Sequence, residues 1–218
     1  MMVAVNPDDP PRRAYRSPRR EQQARQTRRA VLATAKDMLL ADGYSATTIP
    51  AVARAAGVSV ETVYKLFGNK PGVAKAVYDV AIVGDDEPVP MTERDLVRRI
   101  RAEPDPKGKL LEYGEHIADV SGRVCPILLM IRDAAASDPG AAGLWATAQQ
   151  ERLIGMGYFA KHLREEGHLR SGVSEREARD VLWAYNSTEL WDLLVRQRAW
   201  SLSRYGRWMG RQLVAALL

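Results

Sequence analysis

From Thr47 to Lys70 the chain reads TTIPAVARAAGVSVETVYKLFGNK, a stretch dense in side chains that hold phosphates and base edges. Thr62 can hydrogen-bond to a base edge or rest its methyl on a thymine methyl, and Lys65 can donate to guanine O6 and N7 or to a phosphate. Glu61 can accept from a cytosine amine, although its charge opposes the phosphate backbone. Tyr64 offers a hydroxyl to phosphate and a ring to sugar or base methyl. Thr47 and Thr48 can clamp another phosphate through their hydroxyls and the free N–H groups of a helix start. Lys70 opens a later helix within reach of the same strand. The competing reading is a plain helical hairpin whose polar face is only solvated.

Those side chains need a frame, and the sequence supplies one. Val31, Ala35, Met38 and Leu39 recur at three- and four-residue spacing, which predicts a helix over about 21–41 with Gly43 as its C-terminal cap. Thr48 then caps a second helix running to about Ala56, with Pro50 in its first turn. Gly57 allows the left-handed corner that two closely spaced helices require. Ser59 caps a third helix, about 60–67, on which Val60, Val63, Phe67 and Leu66 turn inward. Asn69 caps a fourth, about 70–83, with Pro71 in its first turn. Four helices around a short corner make a helix-turn-helix unit, and polar residues at the start of its third helix suit the major groove.

Charge points the same way. Residues 1–83 hold 13 Lys/Arg against 7 Asp/Glu, whereas residues 84–218 hold 19 against 20, so the basic excess sits with the corner motif. An ordinary solubilising surface would also account for it. Residues 1–18, rich in Pro and Arg, read as a disordered arm; Arg12, Arg13, Arg16, Arg19 and Arg20 either track a phosphate backbone or minor groove or simply solubilise.

After a joint at GDDEPVP (84–90), helical patterns are expected at about 92–102, 107–121, 126–136, 139–165, 175–196 and 200–217. Gly122 and Pro126 are read as a break, Asp138-Pro139 as a helix start, and Ser174 with Glu177 as a capping box. No strand alternation and no repeat emerges. The fold class is therefore all-α: a disordered basic arm over 1–18, a helix-turn-helix domain over 19–83 suited to DNA, and a larger helical domain over 84–218.

Other chemistries find little support. His116, His162 and His168 lack metal-ligand spacing. No phosphate loop, nucleophile elbow or acidic metal cluster is present, so no catalytic residue, metal or cofactor is expected. Cys125 is the single cysteine and precedes Pro126 and an apolar ILLM, which predicts inert packing. The N-terminal stretch does not read as a secretory signal, and no run reaches the ~18 apolar residues of a membrane span. A cytoplasmic protein with no membrane partner is expected.

The segment LLADGYSATTIPAVARAAGVSVETVYKLFGNKPGV closely resembles the DNA-binding segment of TetR-family transcriptional regulators. Gly43, Tyr44, Thr47, Thr48, Ala53, Ala56, Gly57, Val58, Ser59, Thr62, Tyr64, Phe67 and Lys70 fall at the positions of that pattern. The resemblance implies phosphate contacts at Tyr44, Thr48, Tyr64 and Lys70, and a groove-facing set of Ser59, Val60, Glu61, Thr62 and Lys65. Pro71-Gly72 departs from the pattern and suggests a loosened start to the fourth helix.

The resemblance further implies a small-molecule effector in the second domain, a homodimer and a palindromic double-stranded operator. Its pocket would draw on Tyr113, His116, Met130, Trp145 and Met156, and on Tyr158, Phe159, Trp183, Tyr185 and Asn186, large apolar groups with a few polar ones that suit a hydrophobic or aromatic ligand. The last two helices would pair across a two-fold axis through Leu182, Leu190, Leu194, Trp208, Leu213 and Leu217; filling the protomer's own core is the other use for these residues. The function expected is a sequence-specific regulator, a repressor released by its effector. The alternative is a helical DNA-binding or protein-interaction module with no effector.

Overall fold

A computed structural model describes residues 18–218 other than 88, 91 and 92. The architecture is all-α: α1 (Pro18–Ala46), α2 (Ile49–Ala55), α3 (Val60–Phe67), α4 (Lys70–Val83), α5 (Asp95–Ala102), α6 (Pro106–Ala135), α7 (Pro139–Glu165), α8 (Glu175–Tyr185), α9 (Thr188–Trp191) and α10 (Leu202–Leu217). A π-helical turn, Asp192–Gln197, extends α9. Helix starts follow local chemistry. Thr48, Ser59, Asn69, Asp138 and Ser174 each accept a first-turn N–H through the side chain, as their residue types require.

Four boundaries differ from the sequence reading. First, α1 begins at Pro18, so Arg19 and Arg20 are exposed helical residues, whereas Arg12, Arg13 and Arg16 lie outside the described residues. Second, α1 continues past residue 41 and is interrupted at Gly43, whose φ is +82°. Third, Gly122 and Pro126 do not divide α6. A proline inside a helix costs about 3 kcal/mol, because the carbonyl four residues back loses its donor. Val124, Cys125, Ile127, Leu128, Leu129 and Ile131 are all buried around it. At about 1.5–3 kcal/mol for each large apolar side chain, that burial outweighs the proline. Fourth, the helix expected over 175–196 stops at Tyr185, because the Ser187 hydroxyl accepts from Leu190 N at 3.2 Å and starts a new helix.

Two apolar cores result. The first gathers Val31, Leu39, Val63 and Val77 from α1, α3 and α4 with Ile127 and Ile131 of α6 and Leu144 of α7. The second gathers Leu110, Leu129, Leu163, Leu182, Met209 and Leu213 from α6, α7, α8 and α10. The joint at 84–90 is held by ion pairs, Arg28 with Asp86 at 3.1 Å and Arg94 with Asp85 at 2.8 Å. Hydrogen bonding from Arg94 keeps the Asp85 carboxyl down at about 2.

The α6–α10 contact depends on missing side chains. A Cβ at Gly114 would stand 2.5 Å from Gly210 N and 2.7 Å from Gly206 O, so the two helices touch backbone to backbone. Alanine normally favours a helix over glycine by about 1 kcal/mol. Overpacking costs about 1–3 kcal/mol, and backbone atoms cannot step aside as a flexible side chain can. The clash therefore wins: Gly114→Ala is expected to lower stability by about 2 kcal/mol, read as a reduced urea midpoint. A midpoint at or above wild type would refute backbone contact as the basis of this packing.

Candidate nucleic-acid interface and ligand cavity

The corner between α2 and α3 is closed by backbone bonds. Val58 N donates to Ala53 O at 3.0 Å while Gly57 turns at φ +67°. The Thr48 hydroxyl accepts from Ala51 N at 3.3 Å. The Ser59 hydroxyl accepts from Thr62 N at 3.1 Å and lies 3.0 Å from the Thr62 hydroxyl. Val63 is fully buried against the first core. Thr48, Ser59, Glu61, Tyr64 and Lys65 are exposed, and Thr62 is half-buried. Hydrogen bonds from its own backbone N–H and from Ser59 hold the Glu61 carboxyl below its usual range, so the exposed face carries both signs of charge.

Three expected contacts are placed elsewhere. Tyr44 is 2% exposed, and its hydroxyl is buried without a partner, facing the start of α7 near Gly140. Burial first, and Asp138 second, push that phenol up to about 12. Thr47 is buried and its hydroxyl donates to Gly43 O at 2.9 Å, which closes the kinked end of α1. Val60 is half-buried and packs on the first core, as the helical wheel had it, because it follows the cap on the inner side of α3. Lys70 is half-buried, with Nζ 4.2 Å above the Tyr44 ring and donating to Ser45 O at 3.3 Å.

The start of α4 is also firmer than Pro71-Gly72 suggested. Asn69 Oδ1 accepts from Gly72 N at 2.8 Å, and a Cβ at Gly72 would lie 2.0 Å from Phe67 O. The glycine lets the first turn of α4 press on the last carbonyl of α3. Across this turn, Pro71 lies against Gly140 of α7, where a Cβ would stand 2.6 Å from its Cγ.

Further along α4, Tyr78 and Ile82 enter the wall of a cavity of about 480 Å³. Val97 and Ile100 of α5, His116, Ile117 and Val124 of α6, Tyr158 and Phe159 of α7, and Asn186 and Thr188 between α8 and α9 complete much of it. The Tyr113 and Phe159 rings meet at 4.5 Å, and the Tyr113 hydroxyl reaches Met156 Sδ at 3.0 Å. Polar groups are few. Arg152 extends over the Trp183 ring at 4.5 Å and binds the Trp183 and Asn186 carbonyls and Gln149. His116 Nδ1 and Thr188 Oγ1 are buried without partners. His162 backs onto the buried Lys109, whose Nζ lies 2.8 Å from His162 Nε2 and donates to Arg101 O at 3.1 Å.

Of the ten expected pocket residues, Tyr113, His116, Tyr158, Phe159 and Asn186 line this cavity. Met130 and Trp145 pack on the first core instead, because they lie on the other side of α6 and α7. Met156 belongs to the second core, and Trp183 supports Arg152. Tyr185 meets Trp208 at 5.9 Å, away from the cavity. Sequence reading missed Tyr78, Ile82, Ile117, Arg152 and His162. The only signal among them was the i,i+4 pair Tyr78 and Ile82 on one face of α4.

Among the expected dimer residues, Leu182, Leu213 and Leu217 are fully buried within the protomer and fill the second core. Leu190, Leu194 and Trp208 remain half-buried. Cys125 is buried at the cavity wall, where desolvation pushes its thiol up to about 12. Among the described residues, no group of three or more His, Cys, Asp or Glu is arranged to hold a metal ion, and no helix is long and apolar enough to cross a membrane.

The capped helix-turn-helix sits on a helical body with an internal cavity. Residues 31–77 match the family described as "Bacterial regulatory proteins, tetR family", and the chain shares the all-α fold of solved TetR-family regulators. No curated protein sequence matches the chain. Solved structures of similar fold include the transcriptional regulator FadR from Bacillus subtilis in complex with stearoyl-CoA, at 17% identity, TM-score 0.66, covering 87% of this chain and 99% of that one. The SmeT–triclosan complex is similar at 20% identity and TM-score 0.65, covering 88% and 92%. The fatty acid degradation regulator FadR from Bacillus halodurans is similar at 16% and 0.64, covering 86% and 94%.

Two expectations follow from this geometry. Tyr44→Phe removes a buried hydroxyl that has no partner, so stability should hold or rise slightly and DNA affinity stay within about twofold, whereas Tyr64→Ala and Lys65→Ala should each weaken binding by about 1 kcal/mol or more. A large loss of DNA affinity in Tyr44→Phe, measured by fluorescence anisotropy at fixed salt, would return that hydroxyl to the interface. The second concerns pH. Burial lowers His116 and His162 below their ordinary 6.5, with the Lys109 charge adding to the effect at His162. Above 6.5 both states are neutral; below it the unfolded chain takes protons that the fold resists, so stability falls with pH. The urea midpoint should drop between pH 7.5 and 5.5, and the drop should shrink in a His116→Gln, His162→Gln double variant.

Proposed function

We propose that this protein is a homodimeric repressor that releases a palindromic operator when a small hydrophobic or aromatic effector enters the cavity lined by α4 to α7 and the α8–α9 turn. The reading unit, residues 19–83, presents Thr48, Ser59, Glu61, Thr62, Tyr64 and Lys65 to the DNA, with Lys70 braced on the Tyr44 ring beside them. Two α3 helices enter successive major grooves about 34–36 Å apart. Dimerisation uses what the protomer leaves uncovered near its C-terminus: Leu190, Leu194 and Trp208, with exposed Leu193 and Leu202.

One observation carries the regulatory reading: α4 belongs to both sites. Its first turn is pressed against α3 through Gly72 and Phe67 O, and its later turns place Tyr78 and Ile82 in the cavity wall. A ligand that fits the cavity better with those side chains displaced biases α4, and α3 moves with it. Coupling equals the difference in ligand affinity between the two arrangements; tight but equal binding shifts nothing. The largely apolar wall supports an apolar effector, and SmeT with triclosan and FadR with stearoyl-CoA are proteins of this fold solved with small molecules.

Filling the cavity tests this. Val120→Trp places an indole where Val120 lines the space. DNA affinity should stay within about threefold, while compounds that release the wild-type protein should no longer do so. Continued release by the same compounds would rule out the cavity as the effector site. Spin labels at Ala55 of both protomers, exposed on α2 and outside the reading set, should report a changed distance distribution on release; an unchanged distribution would rule out movement through α4.

A further inference from the structure

The cavity is mostly apolar, and where Arg152, Asn186 and Thr188 meet it, hydrogen-bond donors are left without partners. Arg152 supplies the charge. A guanidinium has five N–H donors. Three are accounted for by Trp183 O, Asn186 O at 2.7 Å and Gln149 Oε1 at 2.6 Å. Two remain, and Nε, one of the two nitrogens left with a hydrogen to give, is buried with no partner. Among the described residues no Asp or Glu forms an ion pair with Arg152: Glu189 acts on it only from a distance and lies 3.9 Å from Arg132, and Glu151, also on the cavity wall, pairs with Lys75 at 3.1 Å. Beside it, Thr188 Oγ1 is buried and unpartnered, and the Asn186 amide N–H₂ meets nothing better than Met156 Sδ at 3.7 Å.

The carbonyl contacts explain part of this cation. Trp183 O and Asn186 O belong to the C-terminal end of α8, whose dipole favours a positive charge, so Arg152 ties α7 to α8. A structural tie of that kind needs the donors already engaged. It does not explain why the spare N–H groups, the Thr188 hydroxyl and the Asn186 amide are left without an acceptor of their own beside a mostly apolar cavity, since buried donors left unpaired are costly.

We propose that the effector carries a carboxylate that seats at Arg152, Asn186 and Thr188, with an aromatic or compact apolar body lying along Tyr113 and Phe159. The inference rests on the cavity being the effector site. A cavity of about 480 Å³ falls within the range of drug-sized ligand sites, about 300–1,000 Å³, and leaves room for one to three rings beyond the acid group. A carboxylate accepts several hydrogen bonds at once and is the acceptor this pole lacks.

The test compares acids with their isosteric amides on the full-length protein by calorimetry at pH 7.5: biphenyl-4-carboxylate with its carboxamide, 2-naphthoate with 2-naphthamide, and 4-phenylbutyrate with 4-phenylbutanamide. At least one acid should bind once per protomer, about tenfold or more tighter than its amide, as a charge-assisted hydrogen bond requires. Arg152→Gln should erase that preference by weakening the acid alone. Should Arg152→Gln fail to fold for want of its α8 tie, Thr188→Val serves, with the acid weakened about threefold or more and the amide unchanged. Acids and amides binding equally well, or amides binding better, would overturn the carboxylate while leaving the cavity as a ligand site. Binding of no member of any pair at millimolar concentration would overturn both. An acid preference that survives Arg152→Gln or Thr188→Val intact would place the anion elsewhere and overturn the assignment.

Discussion

The structure depends on α6 staying whole. This 30-residue helix gives Ile127, Leu128 and Ile131 to the first core and Leu110, Tyr113 and Leu129 to the second. A break at Gly122 or Pro126 would have let the two cores settle independently. Continuity forbids that, because close-packed interiors transmit a displacement rather than absorb it. The cavity sits where α6 passes from one core to the other: His116, Ile117, Val120 and Val124 all line it. A ligand there meets a helix that feeds both cores, as α7 also does.

On α4 the same logic works at smaller scale. Tyr78 and Val77 are buried in the first core with α1 and α6, while Tyr78 also faces the cavity. The Pro71 ring and the Tyr44 hydroxyl meet Gly140 at the start of α7. α3 is therefore located by contacts at both ends of α4 and by α7, with little slack between them. Local electrostatics at the reading face stay balanced, since Glu61 remains an anion close to Lys65 and Tyr64. In the proposed function, base preference comes from the arrangement of these few side chains.

Elements governed by local bonds were legible in the sequence. Thr48, Ser59 and Asn69 cap where their types and spacing predict, and Asp138 and Ser174 do the same in the larger unit. Reading failed where long-range burial decides. Pro126 looks like a boundary until the apolar residues on both sides of it are known to be covered. Met130 and Trp145 look like pocket residues because composition cannot tell core from cavity. Arg152 was invisible because its carbonyl partners lie 31 and 34 residues away, and nothing local marks an arginine that will be buried. Tyr44 and Thr47 carry the right chemistry for DNA, but past the kink at Gly43 the Thr47 hydroxyl turns onto Gly43 O and the Tyr44 hydroxyl toward Gly140 of α7.

The first core has a further meaning for how such a chain can be altered. Its apolar residues come from α1 to α4, and also from Val124, Ile127 and Ile131 of α6 and Ala141, Leu144 and Ala148 of α7. The reading unit is thus not a cassette. Cut at the joint after α4, it would carry a bare hydrophobic flank in place of α6 and α7. Grafted onto a foreign body, it would need that body to offer the same relief of small and branched side chains. New operator specificity is therefore more readily reached by exchanging the few exposed residues of α3 in place than by transplanting the head that holds them.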